Sequence, residues 1–149
     1  MLSSPKSCRL VKAEMEFNLI VVFDREEQHV LMCRRSKEPY QGRFNFVGGK
    51  IEPVEDHQAA AYRELFEETS IPKESVSLAH VMDLTYPMED SLLEVYCGIL
   101  QQSMSVSGTE NTLRWVPVCT DFTDTSQFAG CGNIYHIMSY IFANRQLLS

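Results

Sequence analysis

The stretch GGKIEPVEDHQAAAYRELFEETSI, Gly48 to Ile71, decides how the rest of this 149-residue chain is read. It opens on paired glycines, passes a proline-interrupted turn and ends in a run with the composition of a helix. Asp56 stands where an N-cap is needed, because its side chain can accept from backbone N–H groups that a helix start leaves without partners. At 100° per residue, Glu64, Glu67 and Glu68 stand at i, i+3 and i+4, so their carboxylates share one face. Ala59, Tyr62, Leu65 and Phe66 are expected on the opposite, core-facing side. Like charges at that spacing repel by about 0.2–0.5 kcal/mol per pair. A solvated helix face would intersperse lysines, and here only Arg63 lies among the acids. Read alone, the run is either an acidic face in solvent or a site for a hard cation, which requires clustered oxygen ligands.

The neighbouring residues bear on that choice. From Gly49 the order is glycine, five residues, Glu55, seven residues, then Arg63-Glu64-Leu65-Phe66-Glu67-Glu68-Thr69-Ser70-Ile71. This resembles the Nudix box, G-x5-E-x7-R-E-U-x-E-E-x-G-U with U aliphatic. Eight of the nine specified positions match over 23 residues, and at the remaining one Ser70 stands where the family has glycine. Glycine would supply a left-handed residue after the helix, so serine is expected to cost about 1 kcal/mol or to shift the exit. It removes no catalytic group.

The resemblance implies a hydrolase of nucleoside diphosphates linked to another moiety, dependent on Mg²⁺ or Mn²⁺. It implies Glu64, Glu67 and Glu68 as metal ligands, joined by a backbone carbonyl near Gly48. Arg63 is read as the orienting partner of the acidic face, able to make bidentate bonds to Glu55. Glu64 and Glu110 are the two candidates for the general base. Glu110 lies five residues before Trp115, where MutT-type members carry an additional metal-binding glutamate. By the same resemblance Arg35 is a phosphate contact and Asn45 reads the base, while Asn133 could do so from the terminal helix. Gly49 and Lys50, in the glycine turn, complete the substrate-binding set. A MutT-like nucleoside triphosphate pyrophosphohydrolase ranks first, the triphosphate being ordinary or oxidised. The stretch Phe128-Ala129-Gly130-Cys131 lacks the paired aspartates of the vertebrate enzyme for oxidised purines. A nucleotide-sugar or ADP-ribose pyrophosphatase comes next, and a catalytically silent, ligand-sensing Nudix domain is the reading from another class.

Working outward, the chain is mostly strands, one long central helix, more strands and a final helix. Strands are expected at Phe17 to Phe23, Val30 to Arg34, Val76 to Thr85, Ser91 to Leu100 and Leu113 to Val118, from their β-branched or alternating residues. Pro39 to Asn45 and Ser103 to Thr112 read as loops, and Pro72 as the residue that stops the central helix. A second helix is expected from Ile134 to Leu147, capped by Asn133, with Ile137, Tyr140 and Ile141 in its apolar stripe. The fold class is therefore α/β with a mixed sheet, and the resemblance makes it an α/β/α sandwich with a central catalytic helix and a C-terminal helix. Residues 1–14 read as a tail or lead-in strand, and 15–149 as one Nudix domain.

Composition agrees with this. The chain is 44% hydrophobic and 22% charged, as in ordinary globular proteins. A formal charge of −7 argues against a nucleic-acid groove, and bound divalent cations would reconcile it with an anionic substrate. Five cysteines without CxxC spacing read as reduced thiols, so a cytoplasmic location is expected. No apolar run is long enough to span a bilayer, and no signal-peptide core opens the chain. The expected partners are a nucleotide and, as a possible assembly, a second copy in a homodimer, with no nucleic-acid polymer and no membrane. His57, near the start of the helix on its carboxylate side, is a further candidate substrate contact, and Trp115 is read as core.

Overall fold

The computed structural model describes residues 13–108 and 111–148. Most of the expected tail, together with Glu110, lies outside the described residues. Strand β1 (Met15–Phe23) carries the apolar FNLIVVF run and is buried on both faces toward its end. It pairs in parallel with β5 (Ser91–Ile99), in register from Met15↔Ser91 to Phe23↔Ile99. Strand β4 (Ala79–Tyr86) lies antiparallel on the far side of β5. Strand β2 (His29–Arg34) leaves β1 through a turn in which the Asp24 carboxylate accepts from the backbone N–H of Gln28 and His29. From the Phe23↔Val30 pair onward β2 takes other partners, β6 (Thr112–Pro117) and the short β3 (Phe44–Asn45). The order across the mixed sheet is β3-β2-β1-β5-β4, with β6 paired to β2.

This departure of β2 opens an edge of β1, and the segment 47–51 fills it. Ile20 and Asn18 donate to the carbonyls of Val47 and Gly49, each at 2.8 Å, and Ile51 donates to Glu16 at 2.8 Å. The glycine turn is thereby laid against the central strand.

Two helices cover opposite faces. Helix α1 (His57–Thr69) packs Ala61 and Leu65 on Ile20, Val22, Leu31 and Tyr96. Helix α2 (Asn133–Ala143) packs Ile134, Ile137, Met138 and Ile141 on Val21, Met32, Val95 and Phe128. Among the described residues, no helix is long and apolar enough to cross a membrane. Asp56 caps α1 as expected, its carboxylate accepting from Ala59 N–H at 2.9 Å.

The core stripe of α1 differs from the expected one. Ala60, Ala61, Leu65 and Thr69 are buried, whereas Ala59 is exposed and Phe66 is 56% exposed. Small residues let the helix axis approach the sheet closely, and Phe66 would hold it off. Thr69 tolerates burial because its hydroxyl donates to the Leu65 carbonyl at 2.6 Å. Tyr62 is half-buried, its hydroxyl accepting from Leu78 N–H.

Other boundaries shift as well. A 3₁₀ turn at Lys73–Ser75 delays β4, so Val76 forms only a bridge to Leu100. Helix α2 gives way to a 3₁₀ turn at Arg145–Leu148, and Tyr140 faces solvent. Gly132, not Asn133, is the cap of α2; Asn133 is its first residue and donates through Nδ2 to the Tyr86 hydroxyl.

Helix α1 ends at Ser70 rather than at Pro72. Ser70 is left-handed, φ 67°, and its N–H bonds Phe66 O. Glycine should therefore fit here without strain: Ser70→Gly is expected to stabilise by up to about 1 kcal/mol in chemical denaturation. A destabilised variant would show that the Ser70 hydroxyl's contacts with Ser107 outweigh the backbone term.

Candidate active site

The site grows from the contact between the glycine turn and α1. Gly48 has φ 152°, and a Cβ there would sit 2.1 Å from the Asn18 carbonyl oxygen. A Cβ on Gly49 would fall within 2.4–2.6 Å of the Glu64 carboxylate. Only glycines let this turn pass between β1 and the helix. Gly48 N–H donates to Glu68 Oε2 at 3.1 Å, and Gly49 N–H donates to Asn18 Oδ1 at 2.9 Å. Asn18 is buried, and its Nδ2 has no hydrogen-bond partner among the described residues.

Arg63 organises the acidic face. Its Nε and one terminal nitrogen grip Glu55 at 2.6 and 2.8 Å, a bidentate pair. Its other terminal nitrogen donates to Glu64 at 3.0 Å and Glu67 at 3.2 Å. The guanidinium holds Glu55 below its ordinary carboxylate range. Glu64 moves the other way: burial pushes its carboxyl up, which Arg63 only partly offsets and which Glu67 and Glu55 reinforce. Glu67 is mostly exposed, Glu64 and Glu68 less so. The three carboxylates present only oxygen donors, the set that Mg²⁺ or Mn²⁺ prefers, beside a backbone only glycines can supply. They do not close to within 4.8 Å of one another as a triple, because Arg63 holds Glu64 and Glu67 while Glu68 bonds the turn.

Beside the turn lies a cavity of about 490 Å³, a size common for small-molecule sites. Gly48, Gly49 and Glu68 border it, as do Arg35, Asn45 and Asn133. Arg35 spends its Nε on the Pro39 carbonyl, and the Asn45 side-chain oxygen Oδ1 accepts from Phe46 N–H. Lys50 is exposed and borders no part of the cavity; its carbonyl accepts from Arg63 instead. His57 turns toward the sheet, to Glu16 and Glu94, and not to the cavity. Trp115 packs at the edge of the α1-side core.

A family model for the NUDIX domain matches residues 16–118. The chain belongs to the Nudix family. Its reaction class is hydrolysis of phosphoanhydride bonds. Solved structures share the fold. An Ap4A hydrolase from C. elegans superposes with a TM-score of 0.71 at 18% identity, over 89% of this chain and 98% of that one. The NUDIX domain of Shewanella oneidensis NrtR, complexed with ADP ribose, gives 0.67 at 18% identity, over 97% and 94%. MutT, from a study of the Aliivibrio salmonicida and Vibrio cholerae proteins, gives 0.65 at 17% identity, over 87% and 98%.

Within this Nudix site sequence reasoning passed over Asn18 and Tyr86, which also border the cavity. Asn18 carried a signal, being the one polar residue inside FNLIVVF. Tyr86 carried none, since its partner Asn133 is 47 positions away.

Glu64 offers a pH test. Its carboxyl is raised above 4.5 by burial, so the associated stability is full below 4.5 and is lost as pH rises through the raised value. In EDTA, the gain in melting temperature of Glu64→Gln over wild type should therefore grow from pH 4 upward and then level off. A difference independent of pH would show that Glu64 is not desolvated.

Proposed function

We propose that this Nudix protein hydrolyses a nucleoside triphosphate to the monophosphate and pyrophosphate. The observation that carries the reading is the meeting, at one glycine turn, of an all-oxygen carboxylate set with a cavity of mixed character. The turn contributes Gly48 and Gly49 to that cavity and α1 contributes Glu68; β1 and α2 contribute Leu19, Ile134, Ile137 and Asn133, with Tyr86 beside Asn133. Apolar walls with an amide and a phenol suit a nucleobase, and the turn suits a chain of phosphates.

Glu64, Glu67 and Glu68, with the Gly48 carbonyl, would hold Mg²⁺ or Mn²⁺, which supplies neutralisation of the phosphate oxygens and acidifies an attacking water. The protein's own groups do the rest. Arg63, anchored on Glu55, fixes the rotamers of Glu64 and Glu67. Asn18 holds the turn by accepting from Gly49 N–H through Oδ1, and its Nδ2 is a donor for a ligand oxygen at the cavity wall. Arg35 serves the phosphates, and Asn45 and Asn133 the base. Glu64 or Glu110 takes the proton of the attacking water.

A Mg²⁺-dependent panel of ordinary and oxidised nucleoside triphosphates, ADP-ribose, nucleotide sugars and Ap4A tests this. Pyrophosphate release from a triphosphate is expected. Preferential cleavage of ADP-ribose or Ap4A, the compounds in the structural neighbours' names, would move the assignment to those substrates, and no turnover at all would make the domain a ligand-sensing module. Glu68→Gln should lower turnover by about 10²-fold or more, the effect of losing a few kcal/mol of transition-state charge stabilisation.

The base is tested separately. Glu110→Gln should lower kcat with metal and substrate affinity nearly unchanged, whereas Glu64→Gln should raise the Mg²⁺ concentration for half-maximal rate. Full activity in Glu110→Gln would return the base role to Glu64.

A further inference from the structure

Apart from the box carboxylates, α1 meets a second group of ionisable side chains at its first turn. His57, the first residue of the helix, reaches Glu94 on β5 through Nδ1 at 2.7 Å and Glu16 on β1 through Nε2 at 3.2 Å. Glu16 and Glu94 sit on adjacent parallel strands, two positions apart in register, and project from the face that α1 covers. Both are buried, at 7% and 8% exposure. None of the three borders the cavity.

We propose that Glu16, His57 and Glu94 form a binding site for one divalent transition ion, of which Zn²⁺ is the best match, fastening the start of α1 to the β1–β5 seam. Four observations support it. One ligand atom from each residue can be chosen so that all three lie within 4.8 Å of one another. Ligands bound at about 2.0–2.2 Å from a common ion in a tetrahedral site stand about 3.5 Å apart, so a small inward shift of the side chains would bring the three onto one ion. The donor set is one imidazole nitrogen and two carboxylate oxygens, a combination suited to Zn²⁺ and less to Mg²⁺ or Ca²⁺, which take oxygen alone. The three side chains already converge, since the imidazole reaches one carboxylate through each ring nitrogen. Finally, the Tyr96 hydroxyl donates to the second oxygen of Glu94 at 3.0 Å, the kind of outer hydrogen bond that orients a ligating carboxylate.

This site is separable from the catalytic one. Protein stripped with EDTA and returned to millimolar Mg²⁺, which fills the box, is titrated with Zn²⁺ by calorimetry. Wild type should take up one equivalent, and Glu68→Gln should retain it. Glu16→Gln and Glu94→Gln should weaken it by about 10²-fold, and Tyr96→Phe by about 10-fold. Should either carboxylate variant fail to fold by circular dichroism, His57→Gln replaces it, since its ring is at the surface end of the group. Crystals of the wild type soaked in Zn²⁺ should show an anomalous peak between the three side chains. The proposal is overturned by no Zn²⁺ uptake in Mg²⁺, by uptake that disappears in Glu68→Gln, by uptake unchanged in His57→Gln, or by an anomalous peak only at the box. Any of these would leave His57 as a plain hydrogen-bonded link between two carboxylates.

Discussion

The structure depends on one constraint, the passage of Gly48 and Gly49 between β1 and α1. On one side the turn is bonded to β1 through Asn18, both by its backbone and by its side chain. On the other it touches Glu68 through an N–H and leaves no room for a side chain beside Glu64. A Cβ at Gly48 would run into the Asn18 backbone and push the turn off the strand, and one at Gly49 would displace the Glu64 carboxylate. The split between β1 and β2 exists to receive this segment, and the cavity opens where the segment ends. Fold and site are thus one arrangement.

Charge is the second theme. The chain carries −7, and three of its acids, Glu55 just before α1 and Glu64 and Glu67 on it, gather around a single arginine. Arg63 is not spread evenly over them. Its planar fork goes to Glu55, outside the helix, and its remaining donors go to Glu64, Glu67 and the Lys50 carbonyl. That fork holds the Glu55 carboxyl low, while burial pushes the Glu64 carboxyl up, which Arg63 only partly offsets. Fixed geometry of this kind aims the oxygens without neutralising all of them, which suits a surface meant to meet cations and phosphates.

Helix α1 therefore presents carboxylate chemistry at two places. Its C-terminal half supplies an oxygen-only set of which Glu68 borders the cavity, and its first residue meets two buried carboxylates on the sheet with an imidazole. Hard cations suit the first set and borderline ions the second. The same helix is held at its start by side chains from β1 and β5 and in its middle by the small residues Ala60 and Ala61. Positions that anchor the helix also set how the box carboxylates face the turn.

Much of this was legible in the sequence, for a physical reason in each case. The Nudix spacing showed, because i, i+3, i+4 periodicity places three carboxylates on one face whatever lies around them. The Asp56 cap, the Arg63–Glu55 pair and the left-handed exit at Ser70 were legible because each is a contact within the box itself. The α/β class followed from the order of apolar runs. Which side of α1 faces the sheet was only partly legible: helical spacing placed Leu65 correctly, but it also put Ala59 and Phe66 on the core side, where close packing selected Ala60 and Ala61. Nor could the sequence show that Asn133 meets Tyr86, that Lys50 stays outside the cavity, or that His57 lies between Glu16 and Glu94. Those placements join residues up to 47 positions apart. Local periodicity fixes which residues share a face of one element, but only the packing of elements on a twisted sheet decides what that face meets.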